Sequence, residues 1–291
     1  PASTGMFFNT MYNVVDTFYA GLISTQAISA LTLSFMIFFL IIGFGYGFSS
    51  AITALLGNAF GKKKYKLATI YAHKGLIFVP LIGVILSLIG YFFAPSLFIL
   101  LGAKEDYLNL SLEYINPILF GSVFFMFNFS LNSILVATGD TKTYRNSLIF
   151  GFFANLVLNP LLMYGFLFIP AMGLSGIAIA TVLIQIINMG YLLYKVLQTK
   201  LIHFEKLDYF SPNFKVYKQF LNQGIPSSLN MLTMGIGSLI LTYFVSHYGV
   251  NAVAGYGIGF RVEQLMLLPA LGLSTAVLTL VSNNYGAKRY D

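Results

Sequence analysis

The fold class of this chain is indicated by the stretch Ala27-Ile-Ser-Ala-Leu-Thr-Leu-Ser-Phe-Met-Ile-Phe-Phe-Leu-Ile-Ile-Gly43. The run continues without a formal charge to Gly61 and is followed at once by Lys62-Lys-Lys64. About 20 apolar residues in a helix cross the roughly 30 Å of a bilayer's hydrocarbon core. The stretch therefore predicts a transmembrane helix that ends at a membrane surface.

The composition of the whole chain agrees with this prediction. Hydrophobic residues make up 57% of the 291 residues, charged residues make up 9%, and the mean hydropathy is +0.80. A soluble domain carries about 25% charged residues. We therefore expect an all-α polytopic membrane protein, with the lipid bilayer as a partner. Charge-poor runs long enough to cross the membrane recur at about 1–22, 27–60, 67–95, 107–138, 146–167, 170–194, 217–247 and 251–284.

The basic residues predict how the chain is oriented. They follow every second run, whereas the alternate connections contain only Lys104, beside two acids. We expect the protein in the cell's inner (plasma) membrane. The positive-inside rule places the lysine-rich ends, and with them the amino terminus, on the cytoplasmic side of that membrane. This distribution also explains the net charge of +7 without a nucleic-acid partner. The residues are Lys62, Lys63, Lys64, Lys66, Lys142, Arg145, Lys195, Lys200, Lys206, Lys215, Lys218, Lys288 and Arg289.

Several kinds of chemistry are not indicated. The chain has no cysteine, which removes disulfides and thiolate metal sites, and its three histidines are far apart in sequence. The sequence contains no recognisable phosphate-binding loop and no recognisable pair of nucleophile and base. We therefore expect no enzyme activity and no cofactor beyond a coupling ion.

The chain contains an internal repeat, in which the segment from Pro226 lies on the segment from Pro1 at a constant offset and without a gap. Six runs separate the two starts, so both copies enter the membrane with the same orientation. Parallel repeats of this kind build transporters whose substrate path lies between two halves. The matching pairs include Ser3/Ser228, Thr17/Thr242, Ala27/Ala252, Phe35/Phe260, Gly47/Gly272, Asn58/Asn283, Gly61/Gly286 and Lys63/Lys288.

The repeat predicts how the chain is divided. We expect an amino-terminal six-helix lobe at 1–197, a cytoplasmic linker at 198–214, and the first two helices of a carboxy-terminal lobe at 215–291. The second copy contains two runs where the first contains six. We therefore expect a fragment with about eight helices of an expected twelve, in which the second lobe is truncated.

The first run carries one formal charge, Asp16, within Met11-Tyr-Asn-Val-Val-Asp-Thr-Phe-Tyr-Ala-Gly21. A carboxylate within the membrane is costly unless it faces protein or a watery cavity, and it marks a functional site by default. Protonation would remove the charge and release hydrogen bonds from Tyr12 or Asn13, which could bias a helix between two states. We expect all three residues to take part in cation coupling. The alternative is an acid that its neighbours merely satisfy.

Two asparagines are candidates to complete such a site. Asn155 and Asn159 lie four residues apart, on one face of the fifth run, and Pro160 frees a backbone carbonyl nearby. Together with Asp16 they offer oxygen ligands that suit Na⁺ or water. The alternative is hydrogen bonding between helices, a common use of asparagine in membranes.

Further polar residues are candidates for a substrate cavity. Thr181, Gln185 and Asn188 recur at helical spacing on the sixth run and face either a cavity or a neighbouring helix. Arg261 and Glu263 lie inside the eighth run, two residues apart and hence on different faces. Lining a central cavity and forming a structural ion pair are equal alternatives for these two.

An ordered set of motifs over essentially the whole chain resembles the multidrug and toxic compound extrusion (MATE) transporters. Met11–Gly21 resembles the first helix of that family, and Ala137-Thr-Gly-Asp-Thr-Lys142 resembles the loop after its fourth helix. The others are Asn155-Leu-Val-Leu-Asn-Pro-Leu161, Gly173-Leu-Ser-Gly-Ile-Ala-Ile-Ala-Thr181, Gln223-Gly-Ile-Pro226, Phe260-Arg-Val-Glu263 and Asn283-Asn-Tyr-Gly286.

The resemblance implies two six-helix lobes around a central cavity, with cation influx driving drug export. In the prokaryotic branch that resembles the DNA-damage-inducible proteins, the amino-terminal lobe holds a cation site. Its positions here are Asp16, Tyr12, Asn155, Asn159 and Thr181.

The chain departs from the family pattern in two places. Asn159 stands where many relatives have an aspartate, so one carboxylate of the usual pair is absent. The other large branch has an acid early in the seventh helix, and residues 225–245 contain none. A carboxy-lobe cation site of that second kind is therefore not expected.

We expect a proton- or Na⁺-coupled antiporter that exports small organic, often cationic, compounds by alternating access and is monomeric when complete. One alternative is a lipid-linked oligosaccharide flippase of the same superfamily, which should have a more cationic cavity. Another is a membrane subunit that does not transport, in which the polar faces only pack.

Overall fold

The computed structural model describes residues 2–168, 170–202 and 211–289, and within them the chain forms eight α-helices. Each predicted run corresponds to one helix, and the ends differ by less than two helical turns. The helices are α1 Ala2–Ile23, α2 Thr25–Gly61, α3 Tyr65–Leu100, α4 Glu105–Ala137, α5 Lys142–Tyr164, α6 Gly173–Gln198, α7 Phe214–Ser246 and α8 Val250–Gly286. Pro1 and residues 203–210 of the predicted linker lie outside the described residues.

Side-chain hydrogen bonds mark where helices begin. Between α1 and α2, Ser24 is extended and its hydroxyl accepts the backbone N–H of Ala27 at 3.0 Å. Before α7, the side chain of Asn213 accepts the amides of Lys215 and Val216. These contacts satisfy N–H groups that the first turn of a helix leaves without a partner.

The helices form a multi-pass membrane bundle. By length and composition, α2 to α7 can each cross a bilayer. Of the remaining two helices, α1 carries several polar residues and packs on α5, and α8 packs on α2. Large apolar side chains such as Phe92 and Phe93 on α3 point outward, as expected where lipid surrounds the protein. The predicted all-α polytopic fold is confirmed.

The repeat is visible in the helix bounds, because α2 and α8 begin and end at equivalent positions, Thr25 with Val250 and Gly61 with Gly286. In the bundle, α2 packs extensively on α4, α7 and α8. The repeat-equivalent rings of Phe35 and Phe260 meet edge to face, with centroids 6.0 Å apart. Since equivalent residues touch each other, the two copies face one another across an approximate two-fold axis.

Small residues bring the two copies into close contact. Each close pair has a counterpart in which the partners exchange copies of the repeat, so the two-fold relation extends to backbone packing. Adding a Cβ atom to the glycine of any of these pairs would bring it within 2.4 Å of an atom of the partner. The first two pairs are Gly47/Ser228 and Gly272/Ser3. The other two, Gly61/Asn283 and Gly286/Asn58, lie at the carboxy-terminal ends of α2 and α8.

Candidate functional site

The carboxylate of α1 lies in the interior of the bundle. Asp16 is 2% exposed, and its Oδ1 accepts one hydrogen bond from Asn155 Nδ2 and one from Asn159 Nδ2, both at 2.8 Å. Its Oδ2 lies 3.5 Å from the Thr181 hydroxyl, which is a weak contact at that distance. Three helices, α1, α5 and α6, therefore meet at one carboxylate.

The two amides of α5 act as a pair. Asn155 and Asn159 are fully buried, and each donates to the other's Oδ1 at 3.3 Å. In this arrangement both amide nitrogens face Asp16 and satisfy its charge. A cation bound beside Asp16 would require the amides to turn their oxygens toward it, because only the oxygens can act as ligands. Asp16, Asn155 and Asn159 of the predicted site are thus brought together, with both amide nitrogens directed at the carboxylate.

Tyr12 lies one turn before Asp16, close to Thr181 and Asn155. Its hydroxyl is buried and has no hydrogen-bond partner among the described residues. Asn13 does not join the group, since its amide donates to the carbonyl of Asn9 at 2.9 Å. Neither residue makes the hydrogen bond to Asp16 that the sequence suggested. Tyr12 is therefore placed beside the site, and Asn13 is not.

The carbonyl freed by Pro160 has a hydrogen-bond partner on a neighbouring helix. A proline in a helix removes the N–H that would bond the carbonyl four residues earlier, which here belongs to Leu156. The Tyr19 hydroxyl donates to that oxygen at 3.1 Å. The freed carbonyl consequently links α5 to α1, and its oxygen is already engaged by a protein donor.

A cavity of about 770 Å³ lies between the two copies of the repeat. It is bounded by side chains of α1, α2 and α4 to α8, with Asp16, Tyr12, Asn13 and Thr181 on the side of the first copy and Met231, Tyr256 and Glu263 on the side of the second. Ligand pockets in proteins range from about 300 to 1,000 Å³. The cavity therefore has room for a drug-sized molecule.

An amide-rich patch lines the same cavity. The Asn128 amide of α4 donates to the side chain of Gln185 at 2.8 Å and to its backbone carbonyl at 3.0 Å. The side-chain oxygens (Oδ1) of Asn128, Asn132 and Asn188 are buried without a hydrogen-bond partner among the described residues. Gln185 thus occupies the predicted cavity. Asn128 was missed, because nothing in the sequence shows which face of the apolar helix α4 points inward.

Arg261 and Glu263 occupy different environments. Arg261 is 6% exposed, donates to the Gly257 carbonyl at 2.8 Å, and lies 5.8 Å from the ring centroid of Phe35. It is within electrostatic range of Asp16 but is not part of the cavity wall. Glu263 is exposed and lines the cavity. Of the two predicted cavity residues, only Glu263 is therefore placed to meet a substrate.

The described residues also bear on metals. No group of three or more His, Cys, Asp and Glu side chains in residues 2–168, 170–202 and 211–289 could hold a metal ion. The chemistry available at Asp16 is one carboxylate, two amides and two hydroxyls. This set can exchange a proton, and with turned amides it can offer several oxygens to a monovalent cation.

Comparison with known proteins agrees with this architecture. The MatE family model matches residues 1–161 and 226–291. The chain belongs to the MatE family. The two MatE matches begin at Pro1 and Pro226, which are the two starts of the repeat. MatE proteins are transporters, so the expectation that the chain is not an enzyme is confirmed.

Two curated relatives cover most of the chain. The probable multidrug resistance protein YoeA of Bacillus subtilis is 30% identical over 272 residues, which are 92% of this chain and 59% of YoeA. The FAD transporter of Shewanella oneidensis is 26% identical over 282 residues, which are 95% of this chain and 61% of the transporter. The chain thus spans about three fifths of the length of these relatives.

Solved MATE structures have the same fold. An outward-facing multidrug resistance MATE transporter is 26% identical, with a TM-score of 0.85 over 99% of this chain and 64% of its own. A MATE protein in complex with MaD3S is 27% identical, with a TM-score of 0.85 over 99% of this chain and 65% of its own. The second structure shows a protein with this fold in complex with a ligand.

Proposed function

We propose that the chain is the larger part of a cation-coupled multidrug efflux antiporter of the MatE family. The observation that carries the proposal is the position of Asp16, a buried carboxylate on the wall of a drug-sized cavity between the two copies of the repeat. One residue is thus available both to a coupling ion and to the substrate cavity.

The coupling site consists of Asp16, Tyr12, Asn155, Asn159 and Thr181, and the coupling ion is a proton or Na⁺. Neutralising Asp16 weakens the attraction of its carboxylate for the amides of α5, so ion binding changes how firmly α1 is held against α5. A ligand shifts an equilibrium between two conformations only when it binds them with different affinities. These contacts support assignment to the branch that resembles the DNA-damage-inducible proteins.

The substrate is a small organic compound, often a cation. The cavity wall carries many aromatic rings, including Phe35, Phe38 and Tyr46, which attract cations through their faces. Its charged lining residues among those described are Asp16, Glu263 and Arg145. The acidic excess favours cations. It disfavours an oligosaccharide-pyrophosphate flippase, which needs a basic cavity.

The arrangement in the cell follows from the basic residues. The amino terminus and the lysine-bearing helix ends lie on the cytoplasmic side of the inner membrane. Residues 1–197 form the amino-terminal lobe, 198–214 the linker, and 215–291 the beginning of the carboxy-terminal lobe. The complete protein acts as a monomer, since its cavity lies between two halves of one chain.

The test uses the full-length protein in liposomes loaded with a cationic dye, with an imposed proton gradient, an imposed Na⁺ gradient, or neither. Saturable dye export that requires one gradient supports the proposal and identifies the ion. Because a relative is a FAD transporter, FAD is assayed in parallel. Export of FAD alone would overturn the cationic substrate class, and no export of either compound under any gradient would overturn the proposal.

A further inference from the structure

The turn of α5 that carries Asn155 and Asn159 contains a backbone carbonyl whose usual donor within the helix is missing. Pro160 has no N–H to donate to the oxygen of Leu156, although α5 continues to Tyr164. Inside a bilayer no water is present to bond such an oxygen, and leaving it unpaired costs several kcal/mol. The Leu156 carbonyl therefore needs a donor from outside α5.

Tyr19 of α1 supplies that donor. Its hydroxyl lies 3.1 Å from the Leu156 oxygen, and its ring packs edge to face on Phe18, with the centroids 5.5 Å apart. Tyr19 follows Asp16 by three residues and so lies one turn further along α1. Leu156 lies between the two amides that bond Asp16. This tether, the hydrogen bond from Tyr19 to Leu156, and the carboxylate site thus join two neighbouring turns of α1 to the same turn of α5.

The two kinds of contact respond differently to the charge of Asp16. The bonds from Asn155 and Asn159 are strengthened by a negative carboxylate, because hydrogen bonds to charged groups are the stronger ones. The bond from Tyr19 to a backbone carbonyl involves no ionised group. It remains when Asp16 is neutralised, and so it can keep α1 in register with α5 through the change.

The repeat provides an internal comparison. The residues of α7 equivalent to Asp16 and Tyr19, at the offset that takes Pro1 to Pro226, are Leu241 and Phe244. The carboxylate and the tyrosine hydroxyl are therefore both present in α1 and both absent from the equivalent positions of α7. If the hydroxyl served only general helix packing, its loss from α7 would not need to accompany the loss of the acid.

We propose that Tyr19 is a positioning residue of the cation site, which holds Asp16 against Asn155 and Asn159 through the carbonyl that Pro160 frees. This inference rests on the proposed function, since it assigns a role in ion binding at Asp16. Without the tether, the last turn of α1, which carries Tyr19, moves away from α5 more often. The site is then assembled for a smaller fraction of the time, and the apparent affinity for the coupling ion falls in proportion.

The test is a double-mutant cycle in the full-length protein, with Tyr19→Phe and Pro160→Ala. The phenylalanine removes the donor. The alanine provides the missing N–H, so the Leu156 carbonyl is bonded within α5 and no longer needs Tyr19. Each single variant should raise the ion concentration for half-maximal export by about fivefold, the factor carried by a hydrogen bond of ordinary net strength. The double variant should be no worse than the more impaired single variant.

A second readout does not depend on transport. Hydrogen exchange of the purified protein should become faster in the last turn of α1 in both single variants. The double variant should exchange no faster than the single variants. Tyr91→Phe and Pro95→Ala are matched controls, because both residues lie in α3, which is not among the helices that meet at Asp16. Neither control should change ion affinity or exchange in α1.

Three outcomes are distinguishable. Gradient-driven export by the wild type with unchanged ion affinity in Tyr19→Phe would overturn the positioning role and leave the proposed function intact. Additive effects in the double variant would also overturn it, since they would mean that Tyr19 and Pro160 act through separate features. A wild type that does not respond to any gradient would overturn the proposed function, and with it this role of Tyr19.

Discussion

Gly47 of α2 packs directly against Ser228 of α7: a Cβ atom on Gly47 would lie 2.4 Å from the Ser228 amide nitrogen. The equivalent contact joins Gly272 of α8 to Ser3 of α1, where a Cβ would lie 2.9 Å from the Ser3 nitrogen. The same interface therefore occurs twice, with the copies exchanged. In the alternating-access cycle that we propose, these contacts lie on the surface along which the two halves separate or slide.

The close approach at Gly47 predicts an unusual sign for a glycine-to-alanine substitution. In an open helix position this change stabilises by up to about 1 kcal/mol. Gly47→Ala should instead destabilise by about 1–3 kcal/mol, because the backbone of Ser228 cannot yield to the added methyl. Gly190→Ala in α6 is the control, since nothing lies within 4 Å of its Cβ position. Thermal unfolding of the purified protein gives both values, and equal melting temperatures would contradict the contact.

Asn159 offers a test of how many carboxylates the cation site holds. Asn159→Asp would place a second carboxylate in contact with Asp16, where two negative charges repel unless a cation or proton lies between them. We expect Na⁺ to bind about tenfold more tightly, which corresponds to about 1.4 kcal/mol. The gain should appear as greater thermal stabilisation by Na⁺ than by K⁺.

The control for that experiment is Asn13→Asp. Asn13 lines the cavity and its amide donates to the Asn9 carbonyl instead of Asp16, so a new acid there adds charge without completing the site. Equal Na⁺ stabilisation of the two variants would show that the added charge acts only through the field of the cavity.

The amide patch predicts an effect on both stability and substrate choice. Asn128→Ala removes two hydrogen bonds that join α4 to α6, which should cost about 0.5–1.5 kcal/mol. Asn132→Ala removes an amide whose oxygen has no hydrogen-bond partner among the described residues, and should cost less. Both variants should change the relative export of substrates that donate hydrogen bonds. A larger loss of stability in Asn132→Ala would contradict the assignment.

Asp140 predicts a pH-dependent contribution to stability outside the membrane. It precedes α5 and accepts the amides of Lys142 and Thr143 at 3.0 Å. Burial raises the pKa of its carboxyl, but bonds from Thr143 and Lys142 and the charge of Lys195 outweigh this and hold the pKa below the ordinary 3.8. A lowered pKa means that the ionised form stabilises the fold above the ordinary pKa, and that this stabilisation is lost as the pH falls through the lowered value.

Asp140→Asn keeps an oxygen that can accept the two backbone amides but loses the negative charge at the start of α5, so it should be less stable than the wild type at neutral pH by about 0.3–1 kcal/mol. The difference should shrink as the pH falls through the lowered pKa of Asp140. Asp106→Asn, in the first turn of α4, is the matched exchange of an exposed acid. Chemical denaturation over a pH series measures both, and a difference that stays constant into acid would contradict the capping role.

Much of the fold could be predicted from the sequence, because the bilayer sets a simple rule of length and charge. The charge-free run predicted at 27–60 is α2, Thr25–Gly61, and its repeat-equivalent helix is α8, Val250–Gly286. The cluster of Asp16, Asn155 and Asn159 was predicted from two observations, the cost of a buried acid and the four-residue spacing of the amides. The resemblance to MATE proteins added Thr181.

Other features could not be predicted, because in lipid both faces of a helix can be apolar. Periodicity then does not show which side packs inward. Asn128 was missed for this reason, and for Arg261 a place on the cavity wall and a structural ion pair remained equal alternatives. The partner of the carbonyl freed by Pro160 depends on how α1 lies against α5, which no local pattern contains. Tyr19 could be found only from the structure.

Coupling at Asp16 is tested by comparing the full-length wild type with Asp16→Asn at matched expression. Export of a cationic dye is followed in an efflux-deficient host under imposed proton and Na⁺ gradients. Asparagine keeps the shape of the side chain and removes its charge and its ability to take up a proton. We expect gradient-driven export by the wild type and none above background by Asp16→Asn. Unchanged gradient-driven export in Asp16→Asn would contradict coupling at this carboxylate.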